Sequence, residues 1–86
     1  MKIFEMSFVF HGRRYQADVG VIRGDDHIQY TISPQDEELL LDYGTQVIHE
    51  FSGKPLQPAF PGATDERIAY SEALIAGLKH FLTKKS

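Results

Sequence analysis

Three residues able to bind a metal or move a proton stand side by side in the stretch GDDHIQY: Asp25, Asp26 and His27. On an extended chain neighbouring side chains point to opposite faces, so Asp25 and His27 can share a cation but Asp26 cannot easily join them. Catalytic zinc takes three protein ligands and an open position, and no third histidine or carboxylate follows at a recognisable spacing. Glycine and aspartate are also what a tight reversal selects for backbone reasons alone, so the stretch reads first as a turn. A second group is HGRR, residues 11–14. Its paired arginine donors suit the two oxygens of a carboxylate or phosphate; the competing reading is a solvated hairpin tip. A third is His49-Glu50. An imidazole held by a carboxylate is the raw material of general base catalysis, although only one of two adjacent strand residues faces a given side.

The elements that must position these groups follow from hydrophobic period. In KIFEMSFVF the residues Phe4, Met6, Phe8 and Phe10 are large and apolar, and the positions between them include Glu5 and Ser7. YQADVGVIR alternates through Tyr15, Ala17, Val19 and Val21, and HIQYTIS through Ile28, Tyr30 and Ile32. Period two predicts strands, and the short glycine-bearing connections HGRR and RGDDH predict hairpins, giving an antiparallel three-stranded meander with one apolar face. SPQDEELLLDYG changes character: Ser33 as a cap, Pro34 at the first helical position, acids at 36–38 and Gly44 as a stop predict a short helix from Pro34 to Tyr43. ELLLDY also suits a strand. TQVIHEF predicts a fourth strand, and GKPLQPAFPG, with three of the four prolines, an extended loop.

Thr64 then caps a long amphipathic helix running to about Thr83, with Asp65 and Glu66 in its first turn and Ile68, Leu74, Ile75, Leu78, Phe81 and Leu82 as its apolar stripe. Tyr70, Ser71 and Glu72 project partly from that stripe, and the negative helix end accounts for His80 near Lys79, Lys84 and Lys85. Phe51, Leu56 and Phe60 flank the proline loop as staples to the domain or contacts for a partner. Sheet and helix each supply the surface the other must bury, so the expected architecture is one α+β domain spanning 1–86, with the helix packed on the sheet.

The two hairpin turns close opposite ends of one strand, about 30 Å apart, and cannot form a joint site within one chain. If the short helix carries the chain back along the sheet, the fourth strand runs parallel to the third and brings His49 or Glu50 toward His11 and Arg13. The candidate ligand-binding residues are therefore His11, Arg13, Arg14, His49 and Glu50, with no catalytic residue, metal or cofactor assigned.

The 86 residues, 42% hydrophobic and 24% charged, suit one small globular domain. There is no cysteine, which excludes disulfides, thiolate metal sites and cysteine nucleophiles and is compatible with a reducing cytoplasm. Glu5 interrupts the apolar N-terminal run, which reads as a strand and not a signal peptide, and no run reaches the roughly 20 apolar residues of a membrane helix. A soluble, cytoplasmic chain is expected. A net charge of -3 with scattered basic residues disfavours nucleic acid as a partner.

FPGATDERIAYSEALIAGL, residues 60–78, resembles the tail of HicB-type antitoxins in its Pro-Gly turn, threonine cap and Glu-Ala-Leu opening of a helix behind a small sheet. That resemblance implies a toxin partner and tight co-purification with it. The residues themselves favour a non-catalytic protein-interaction or self-associating module, contacting its partner through a sheet edge, the polar sheet face or the proline loop. The alternative is a small ligand binder or enzyme using His11, Arg13 and His49 at one end of the sheet.

Overall fold

A computed structural model describes residues 2–59, 62 and 64–85, with side chains through residue 83; the reading of Phe60 and of the Lys84 and Lys85 side chains lies outside the described residues. The elements are β1 (Lys2–Phe10), β2 (Arg13–Arg23), β3 (His27–Pro34), α1 (Glu37–Tyr43), β4 (Gln46–Phe51), β5 (Gln57–Pro58) and α2 (Asp65–Lys85). The strands form one antiparallel sheet in the order β1-β2-β3-β4-β5, and α2 packs on one of its faces. This is the α+β architecture that the alternating patterns predict.

Register makes that alternation a core. Rows such as Met6 with Ala17, and Phe4 with Val19 and Ile32, run across the strands on one face. Met6, Phe8, Phe10, Ala17, Val19, Tyr30, Ile32 and Ile48 are buried there beneath Tyr70, Leu74 and Leu78 of α2 and Leu39 of α1. Phe4 stacks on Phe81 with ring centroids 4.1 Å apart, and Phe8 meets Tyr70 edge-on at 5.9 Å. Helix α2 therefore runs from the Phe10 end of β1 toward its Phe4 end. The opposite sheet face carries Glu5, Ser7, Gln16, Asp18, Gln29 and Thr31, and no helix among the described residues lies upon it.

Four expectations are corrected. The fourth strand is antiparallel to the third, with Gln46 opposite Ile32 and Phe51 opposite His27. The reason is length: a seven-residue α1 rises only about 10 Å, whereas the eight residues of β3 span about 27 Å. The helix turns the chain around where it left the sheet. Second, α1 begins at Glu37 and not Pro34, because Pro34 still pairs with Ala17 and the Gln35 N–H donates to the Gln16 carbonyl at 2.9 Å, holding the backbone extended. Asp36 is the cap, its carboxylate accepting from the Leu39 N–H at 3.1 Å, while Ser33 lies 3.0 Å from the Thr45 hydroxyl. Gly44 ends the helix as expected, with a positive φ of 68° but a ψ of -161° that lies outside the left-handed helical region.

Third, the proline segment contains β5, whose Pro58 pairs with Ile48 at the sheet edge, where a missing N–H costs least. Fourth, Tyr70 and Ser71 are buried and Ile68 is 44% exposed, so the apolar stripe of α2 is rotated from the expected one. Thr64 caps α2 as expected, its hydroxyl accepting from the Arg67 N–H at 3.2 Å. Asp36→Ala should lower stability by about 1 kcal/mol through loss of the α1 cap. In a domain of this size that is a fall of about 4–8 °C in the thermal midpoint.

Candidate functional site

The Gly24–His27 reversal is a turn in which the Gly24 N–H donates to the His27 carbonyl at 2.8 Å. His27 Nδ1 lies 2.8 Å from Asp26 Oδ1, and this hydrogen bond holds the exposed Asp26 carboxyl below its usual range. The histidine thus pairs with Asp26, not with Asp25 across the strand. His49 and Phe51 of β4 stand beside it, with ring centroids 5.0 Å from His27 in each case. Glu50 points to the other face and accepts from the Tyr30 hydroxyl at 2.8 Å. A depression of about 700 Å³ between the two turns is lined by Arg23, Asp25, Asp26, His27, Glu50 and Lys54 among others. Among the described residues no three or more histidine or carboxylate side chains are placed to hold a metal ion.

The HGRR hairpin has His11 at φ 51° and Gly12 at φ 74°, the two positive values that a two-residue turn of matching twist requires. Arg13 lies over the Tyr15 ring at 5.4 Å, whereas Arg14, opposite Val9, belongs to the uncovered face. The two guanidinium groups therefore point to opposite sides of the sheet and do not make one anion clamp. His11 stacks near Phe10, and its Nε2 lies 4.0 Å from Glu66 of α2. Glu66 also accepts from the Tyr43 hydroxyl at 2.8 Å, and Arg67 reaches the Asp42 carbonyl at 3.2 Å. These contacts join the hairpin, α1 and α2.

The expected grouping of His11, Arg13 and Arg14 with His49 and Glu50 is thus not formed. His49 is opposite Gln29 and Gln29 opposite Ile22, which places His49 at the Gly24 end of the sheet, about 30 Å along β2 from the HGRR turn. The pairing of Tyr30 with Glu50 on one face, and of His27 with His49 on the other, was missed for the same reason. The shortness of the helix between β3 and β4, seven residues and too few to recross the sheet, was the available signal.

Tyr70 is the one described side chain whose buried polar atom has no hydrogen-bond partner. Its ring stacks on Tyr43 at 4.1 Å. Burial, with Tyr43 and Asp36 adding to it, pushes the hydroxyl up to about 12 from 10.0. Burial and a carboxylate acceptor raise Tyr30 and Tyr43 to about 12 as well, through Glu50 and Glu66 respectively. The unfolded chain gives up these protons near pH 10, before the folded one does, so stability complete below pH 10 is lost as pH rises toward 12. Unfolding followed by circular dichroism should track tyrosine ionisation at alkaline pH. Tyr70→Phe removes an unpartnered hydroxyl, so at neutral pH it should leave stability unchanged or raise it by about 1 kcal/mol, measured by urea denaturation.

The remaining site is a strand edge. In a two-residue hairpin the closing pair, Phe10 and Arg13, exchange hydrogen bonds, so the alternate residues Ile3, Glu5, Ser7 and Val9 turn their N–H and C=O groups away from β2. The bond from Gln35 N–H to the Gln16 carbonyl confirms this parity on β2. The far edge is closed: the Val47 carbonyl accepts from Ala59, His49 pairs with Gln57, and the Phe51 carbonyl accepts from Lys54. Beside the outer side of β1 runs a groove of about 520 Å³, bordered by Ala73, Ala76, Gly77 and His80 of α2 on one side and Arg14 and Gln16 on the other.

Comparison with protein-family models, with curated proteins and with solved structures finds no match for the chain. No helix among the described residues is long and apolar enough to cross a membrane.

Proposed function

We propose that the chain is a non-catalytic protein-interaction module that receives an extended segment of a partner along β1. The observation supporting this reading is the asymmetry of the sheet edges. On β4 the outward Val47 and Phe51 carbonyls accept hydrogen bonds and His49 pairs with Gln57, whereas the nine-residue β1 has no neighbour on its outer side among the described residues, and a groove lies along it. An unpaired ladder offers a partner backbone hydrogen bonds at a fixed spacing, and grooves beside it supply side-chain selectivity. The separation of His49 and Glu50 from His11, Arg13 and Arg14, together with the exposure of Asp26, weighs against a catalytic reading.

Selection from a displayed library of random peptides tests this. Ligands of extended, alternating pattern are expected, and all should lose binding to Val9→Pro. Val9 is exposed and its N–H faces outward, so proline there deletes an edge donor without removing a bond to β2. Failure to select any peptide, or ligands indifferent to that substitution, would falsify the proposal.

A further inference from the structure

The chemistry of the edge narrows the occupant, granted that β1 accepts a strand as proposed. Two observations bear on it. Glu5 and Asp18 are directly opposite on neighbouring strands of the uncovered face, and like charges so placed repel. Among the described residues no cation pairs with either, and only the neutral Gln35 amide bridges them, 2.6 Å from Glu5 and 3.1 Å from Asp18. Flanking this acidic pair on the same face of β1 are two apolar side chains left in water, Ile3 at 69% and Val9 at 56% exposure. The edge thus presents, in order, an apolar residue, a carboxylate with a second one behind it, a serine and another apolar residue.

A second copy of the chain does not fit there. Helix α2 sits on β1 itself, with Gly77 against the Ser7 carbonyl and the Phe8 backbone. Pairing two copies through β1 brings both helices to the same face over strands about 4.8 Å apart, whereas packed helices need about 8–10 Å. A segment without a helix of its own has no such conflict. Its inward side chains meet Ala73, Ala76 and Gly77, which leave the groove open, and its outward ones pair with β1.

From this geometry we infer that the partner is a flexible peptide segment pairing antiparallel to β1, with branched apolar residues six positions apart and a lysine or arginine between them, opposite Glu5. Read from its N-terminal end, it is apolar opposite Val9, serine or threonine opposite Ser7, cationic opposite Glu5 and apolar opposite Ile3. The antiparallel sense matches every other pair in the sheet and is the more stable one.

The probe is the fluorescein-labelled peptide Val-Gln-Thr-Leu-Lys-Gln-Val with Gly-Ser flanks, titrated by fluorescence anisotropy. Saturable binding is expected, weakened about tenfold when its lysine is replaced by glutamate. Glu5→Lys in the protein should reverse that preference. Val9→Pro and Ala76→Trp, the latter filling the groove from an exposed position, should each abolish binding with the circular dichroism spectrum unchanged. Equal affinity for the lysine and glutamate peptides, or binding that survives both substitutions, overturns the inference. If library ligands sensitive to Val9→Pro lack the pattern, the inference fails while the strand-addition reading stands. A dimer by light scattering that Val9→Pro converts to monomer replaces the peptide with a second copy.

Discussion

Gly77→Ala destabilises the protein by about 1–3 kcal/mol, although the same exchange in an exposed helix interior gains up to about 1 kcal/mol. The reversal comes from where Gly77 sits. A Cβ built there lies 2.7 Å from the Phe8 Cβ and 2.7 Å from the Ser7 carbonyl oxygen, with the Phe8 Cα at 3.2 Å. None of these is the tip of a flexible side chain. Relief requires the helix to lift from β1, which opens the contacts of Leu74 and Leu78, both fully buried. The measurement is urea denaturation of the pair Gly77→Ala and Ala76→Gly. Ala76 is exposed on the same turn, so its exchange should show only the ordinary propensity cost of about 1 kcal/mol. If Gly77→Ala leaves the protein equally or more stable, α2 does not rest on β1 as described.

Leu74→Ala carries the largest expected loss, about 2–5 kcal/mol, the sum of lost transfer free energy and the cavity left behind. Leu74 is 0% exposed, among residues contributed by the sheet and both helices. Such a loss is a large fraction of the stability of an 86-residue domain, typically about 5–15 kcal/mol. Ile68→Ala is the informative companion. Periodicity puts Ile68 and Leu74 on one stripe, but the observed 44% exposure of Ile68 predicts a cost below about 1 kcal/mol. Comparable losses at both positions would mean that the helix is rotated about its axis from the arrangement described.

What the sequence made legible was local. Period two along Phe4–Phe10 and Tyr15–Val21 specified strands and their buried faces, and Thr64 and Gly44 marked helix ends where the backbone needs them. Direction was less accessible, because a strand pattern is the same read either way and only the reach of the intervening helix decides it. The misplacement of His49 and Glu50 followed from that one choice. Tyr70 projects partly from the periodic apolar stripe of the sequence, yet it is buried against the aromatic rings of Phe8, Phe10 and Tyr43. The need for glycine at position 77 was not legible, since the closeness of a facing strand leaves no mark on the residues nearby. The groove along β1 depends on strand order, helix position and three small residues together, so no single stretch of sequence announces it.

The closure of β4 by the short β5 limits how far assembly can go. A sheet with two long open edges can add molecules without end, as a fibre does, whereas here the second edge is the two-residue β5, whose Pro58 has no N–H to offer. The long edge offers one place per chain for an added strand, and so short an edge at β5 is a poor template for stacking copies of the protein.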